Sequence, residues 1–119
     1  MSRRSYIIGI WLILSLVTQL GFAQSNGLDS LVRQYAVADS SQRQAILLNL
    51  NRNTTEEPEK TLGVAHQIES IAESQQHTQA LARIYYILAN AHEVLGSYDS
   101  STYYVQQAIE TATMIDNRK

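Results

Sequence analysis

The stretch that decides the fold is QALARIYYILANAHEVL, residues 79–95, followed by Gly96-Ser97-Tyr98. Leu81, Ile84, Tyr85, Leu88, Ala91 or His92, and Leu95 recur at steps of three and four. That period puts them on one side of an α-helix and gives it a wide apolar face. Gly96 then stops the helix, because glycine alone adopts the left-handed turn without a Cβ penalty.

The same period runs outward in both directions. Toward the C-terminus, residues 99–115 carry Thr102, Val105, Ala108, Ile109 and Ala112 as an expected inward stripe. Toward the N-terminus, residues 57–74 carry Leu62, Ala65, Ile68, Ile71 and Ala72. There the small residues Gly63, Ala65 and Ala72 are expected to let a neighbouring helix come close. Pro58 belongs in the first turn of that helix, where its missing N–H costs nothing. Before it, residues 41–52 put Ala45, Leu48 and Arg52 on one face, with Ile46, Leu47 and Leu50 beside them. Asp39-Ser40-Ser41 supplies the cap. Residues 28–38 form a short first helix on Leu28, Leu31, Val32 and Tyr35. No alternating β-branched run is bounded by tight-turn pairs. The reading is therefore all-α, with antiparallel helical hairpins stacked as a short solenoid.

Residues 1–23 read differently. Arg3 and Arg4 precede an apolar run over residues 6–20, and Gly21-Phe22-Ala23 offers small residues to a signal peptidase. The run is shorter than the roughly 20 residues that span a bilayer as a helix. A cleaved leader with an exported, periplasmic or secreted product is expected, and the alternative is an anchor in the inner membrane through residues 6–22. The expected layout is leader 1–23, N-terminal helix 24–40, a degenerate hairpin 41–78 and a better hairpin 79–119.

Composition narrows the function. The 119-residue chain has a formal net charge of −2, and losing Arg3 and Arg4 with the leader makes it more acidic. Nucleic-acid binding relies on neutralising phosphates, so this segment is not expected to bind it. There is no cysteine, which excludes disulfides and thiolate metal sites. His66, His77 and His92 lack the paired helical spacing of a zinc site, so no metal is expected. Glu56, Glu57 and Glu59 sit in a first helical turn, where acidic residues answer the helix dipole. No nucleophile elbow and no phosphate loop occur. No catalytic residue and no cofactor are expected.

The two hairpins repeat at an offset of roughly 40 residues, at which Arg43 matches Arg83, Leu48 matches Leu88, Gln67 matches Gln107 and Ala72 matches Ala112. The second unit resembles a tetratricopeptide repeat. Its first helix has Tyr85, Leu88-Ala89 and His92, its turn is Gly96-Ser97-Tyr98, and its second helix has Ser101, Val105 and Ala108 at the small-bulky-small places. His92 stands where the family has Tyr, Ser101 where it has Ala, and Thr113 where a Pro often closes the unit. The resemblance covers residues 82–115 well and 41–75 poorly.

The resemblance implies a non-catalytic surface for another protein, a peptide or a second copy of the chain. In such arrays the outward side of the first helix lines a groove. Here that side is Arg83, Tyr86, Asn90 and Glu93, the candidate binding residues. A solvated helix face is the plainer account of the same four. The leader, the short Leu-Asp-Ser-Leu helix and the long repeats also resemble the front of bacterial sensor proteins. The alternative reading is thus the periplasmic sensor region of a histidine kinase or transcriptional regulator without its output domain. Fewer than three repeats rarely bury enough surface alone. A longer polypeptide or self-association is expected to complete the array.

Overall fold

The computed structural model describes residues 27–117; the expected leader lies outside them. The described chain is all-helical. α1 spans Gly27–Ala36, α2 Ser40–Arg52, α3 Pro58–Ser74, α4 Thr78–Val94 and α5 Tyr98–Asn117. No strand occurs among the described residues. None of these helices is long and apolar enough to cross a membrane.

Local chemistry sets the boundaries. Asp39 and Gln42 form a reciprocal capping box at the start of α2. The Gln42 amide donates to Asp39 Oδ1 at 2.8 Å, and the Asp39 amide donates to Gln42 Oε1 at 2.9 Å. Two helix-start amides thereby gain acceptors. Pro58 opens α3. Gly96, at φ +80°, ends α4 in a Schellman turn: the Ser97 amide donates to the His92 carbonyl at 2.8 Å and the Gly96 amide to that of Glu93 at 3.0 Å.

The end of α3 repeats this turn with a residue that the sequence does not flag. Gln76 takes the left-handed conformation at φ +58°. The His77 amide donates to the Ala72 carbonyl at 2.8 Å and the Gln76 amide to that of Glu73 at 3.2 Å. The α3–α4 and α4–α5 connectors are therefore built on one motif, once with glycine and once without it.

The core runs through α1 to α4. Tyr35, Leu50, Val64, Ile68, Ile84 and Leu88 are essentially fully buried. The contact between α4 and α5 is the most extensive, followed by that between α3 and α4, while α2 leans more on α1 and α4 than on α3.

Three packing expectations are corrected. On α2 the buried face is Ile46, Leu47 and Leu50, whereas Ala45, Leu48 and Arg52 are exposed. The partners of α2 lie toward the former side. On α3 a Cβ built at Gly63 would meet nothing within 4 Å, so Gly63 faces open space; Ala65 and Ala72 are the small residues that are fully buried. On α5 the expected stripe is mostly outside. Thr102, Val105, Ile109 and Ala112 are exposed, and only Ala108 of that set is half-buried. α5 has α4 to pack on and no described helix beyond it. It turns Ser101, Tyr104, Ala108 and Thr111 inward instead.

Candidate functional site

A groove opens along α4. Gln79, Ala82, Arg83, Tyr86 and Ile87 make its floor. One wall is α2, with Gln44, Leu47, Leu48 and Asn51. The other is the C-terminal half of α5, with Ala108, Ile109, Ala112, Ile115 and Asp116. Its volume is about 660 Å³, within the range of cavities that hold ligands. The helical period explains the placement: Gln79, Ala82, Arg83 and Tyr86 lie at three- and four-residue steps, opposite the face that Ile84 and Leu88 bury.

Three large apolar side chains stay in water here, one from each bounding helix. Leu48 is 53% exposed, Tyr86 56% and Ile109 56%. Exposing apolar area costs about 25 cal/mol per Å², and clustered apolar exposure marks binding surfaces more than scattered exposure does.

The four candidate residues do not behave alike. Arg83 and Tyr86 line the groove. The Arg83 guanidinium makes no hydrogen bond or ion pair among the described residues. Asn90 is half-buried, and its Nδ2 donates to Asn51 Oδ1 at 3.2 Å, tying α4 to α2 at the groove's edge. Its side chain is committed to the fold. Glu93 is exposed and lies outside the lining of the groove. Leu48, Ile109 and Asn51 also line the groove, though sequence reasoning does not point to them. Spacing alone places Leu48 and Ile109 on inward faces, because it does not say which faces find partners.

Beyond the groove's Arg83 end lies a second recess of about 330 Å³, shared by Arg43, Gln44, Gln76, His77, Gln79 and Arg83. Arg43 Nη1 donates to the Ala38 carbonyl at 3.0 Å. The Tyr35 hydroxyl lies 2.9 Å from His77 Nδ1, and the two rings meet edge-on. Burial pushes the His77 pKa below its ordinary value, and the Arg43 charge pushes it further the same way. Burial raises the Tyr35 pKa, with Arg43 opposing.

A ring cluster joins α3, α4 and α5 on another side. Tyr104 stacks on His92 with centroids 5.5 Å apart and planes at 7°, lies at 22° to Tyr85, and meets His66 edge-on. His66 Nδ1 sits 2.9 Å from Glu69 Oε1. Burial lowers the His92 pKa, helped by the charge of His66, and raises that of Tyr104, helped by Glu69 and Tyr103. His92 therefore packs between α4 and α5. Among the described residues no group of three or more His, Asp or Glu side chains could hold a metal ion.

Compared with family models, with curated proteins and with solved structures, the chain matches none.

Proposed function

We propose that this chain is a protein-interaction module: a short helical-repeat scaffold of tetratricopeptide type that takes a peptide segment of a partner in the α2/α4/α5 groove. The observation that carries this is the joint exposure of Leu48, Tyr86 and Ile109 in one groove that Arg83 also lines. A rigid helical frame holds them in place, so little order is lost when a ligand arrives. Aromatic and Arg side chains are the types that dominate binding energy when a partner covers them. The reading assigns no catalytic step to the groove. The basic start, apolar run and Gly21-Phe22-Ala23 of the leader support export.

The test uses the purified full chain against an array of acetylated, C-terminally amidated random octapeptides. Selective capture that weakens at least tenfold in Tyr86→Ala and in Ile109→Asp supports the groove. Capture unchanged by both variants, or no capture, overturns it.

A further inference from the structure

α5 is held to the apolar core by one side chain. None of its residues belongs to the buried core cluster of the described helices, and only Tyr104 packs against that cluster. Ser101, Ala108 and Thr111, which also turn inward, are small. α4 is the only described helix whose backbone runs close to that of α5. The surroundings of the Tyr104 ring can take up protons. His92 of α4 lies parallel to it with centroids 5.5 Å apart, and His66 of α3 meets it edge-on at 6.1 Å. Tyr85 stacks on it at 6.2 Å, and Tyr103 stands across it at 5.0 Å.

His92 Nδ1 is buried and has no hydrogen-bond partner among the described residues. A charged imidazole carries a proton on both nitrogens. Protonation therefore places a charged N–H at a point that offers no acceptor, which is costly. The Tyr104 face returns part of that cost through cation–π attraction. Three carboxylates stand near, and none bonds to His92. Glu69 of α3 is engaged with His66 Nδ1 at 2.9 Å, and Glu73 lies 3.5 Å from the Tyr85 hydroxyl. Asp99 lines the recess beside the rings from the exposed first turn of α5, where it answers the dipole of its own helix. A charge on His66 adds repulsion to one on His92.

We propose that His92 and Tyr104 form an acid-sensitive latch: protonation of His92 releases α5 from α4 while α1 to α4 stay folded, and the groove loses the wall that carries Ile109 and Ala112. The sign follows from linkage. The docked state holds His92 below the ordinary histidine value of 6.5, first through burial and then through His66. Release of α5 opens the ring to water and removes the burial. Docking is therefore at full strength above about pH 6.5 and weakens as pH falls below it toward the docked value. The release concerns the fold alone. The loss of the wall matters for binding only on the reading of the groove as a peptide site.

Hydrogen exchange of the full chain at pH 7.5 and 5.5, read by mass spectrometry and corrected for the intrinsic rate at each pH, tests the latch. Protection of α5 should fall about tenfold or more at pH 5.5 while α2 and α3 keep theirs. In an NMR titration of the wild-type chain, the α5 amides should shift together with the His92 ring. His92→Phe and His92→Tyr keep an aromatic ring and remove the titration, so whichever folds should hold α5 equally at both pH values. Unchanged α5 protection in the wild type overturns the latch. So does an acid-induced loss that persists in the His92 variants, or one shared equally by α1 to α4, which is global destabilisation. For the groove, a captured octapeptide should bind about tenfold more weakly at pH 5.5 and regain its affinity in His92→Phe. Capture indifferent to pH overturns the link from latch to groove. If nothing is captured at either pH, the groove reading falls and the exchange measurement decides the latch by itself.

Discussion

The Tyr35 hydroxyl and the His77 Nδ1 atom sit 2.9 Å apart, joining α1 to the connector that starts α4 across 42 positions of sequence. Tyr35 is 1% exposed, so its hydroxyl has few other partners. With a neutral ring protonated at Nε2, the hydroxyl donates to Nδ1. This pair closes the N-terminal helix onto the repeat frame. Tyr35→Phe removes the donor and leaves a half-buried imidazole nitrogen unpaired, at a cost of about 1 kcal/mol. The expected result is a lower denaturant midpoint with an unchanged slope.

Burial of His77 and His92, more than any single contact, makes stability depend on pH. The folded state holds His77 and His92 below the ordinary histidine value. The unfolded chain therefore takes up protons first as pH falls. Stability is fully present above the unfolded value of about 6.5 and is lost as pH falls below it toward the folded values. Thermal midpoints at pH 7.5 and 5.5 check the sign, and His77→Gln should flatten the difference without abolishing it, since His92 still titrates.

Gln76 and Gly96 hold the same left-handed place in two equivalent turns. A side chain there costs about 1 kcal/mol relative to glycine, part of which glycine returns as unfolded-state entropy. Gln76→Gly should stabilise by about 0.5 kcal/mol, and Gly96→Ala should destabilise by about 1 kcal/mol. Urea unfolding of the pair measures both signs.

Thr61 is fully buried on α3, and its hydroxyl has no hydrogen-bond partner. Desolvating an unpaired hydroxyl costs about 1–3 kcal/mol. Thr61→Val keeps the shape and removes that cost, so a gain of about 1 kcal/mol is expected. A loss of stability in calorimetry would mean that the hydroxyl is bonded after all.

Leu48 and Leu50 lie two positions apart on α2, the first 53% exposed and the second 0%. Leu50→Ala should cost about 2–5 kcal/mol through transfer and cavity terms. Leu48→Ala should change stability by less than about 0.5 kcal/mol while weakening peptide capture. Equal effects of the two on unfolding would contradict the face assigned to α2.

Helix identity and helix ends were legible because their causes are local. Asp39 caps with Gln42 three residues on, Pro58 fits a first turn, and Gly96 allows a turn that few residues adopt. Spacing also marked Ile84, Leu88, Ala65, Ile68 and Ala72, which the fold buries. The turn at Gln76 is not legible in the sequence, because nothing in glutamine favours positive φ. The turn follows from the ends that α3 and α4 must join. Of the candidate site, Arg83 and Tyr86 were readable as the side opposite the α4 stripe. Asn90 was not readable as an internal tie, since its partner Asn51 lies 39 positions away on α2.

What the sequence by itself determined is the all-helical character, the helix boundaries and the direction of the α4 core face. These follow from interactions within one or two turns. Only the tertiary structure decided which apolar residues of α2 and α5 lack cover. Thr102, Val105, Ile109 and Ala112 have the spacing of a core stripe, yet burial is a property of what lies opposite a face. α4 stands opposite Ser101, Tyr104 and Ala108, so Ile109 was left to join Leu48 and Tyr86 in the groove.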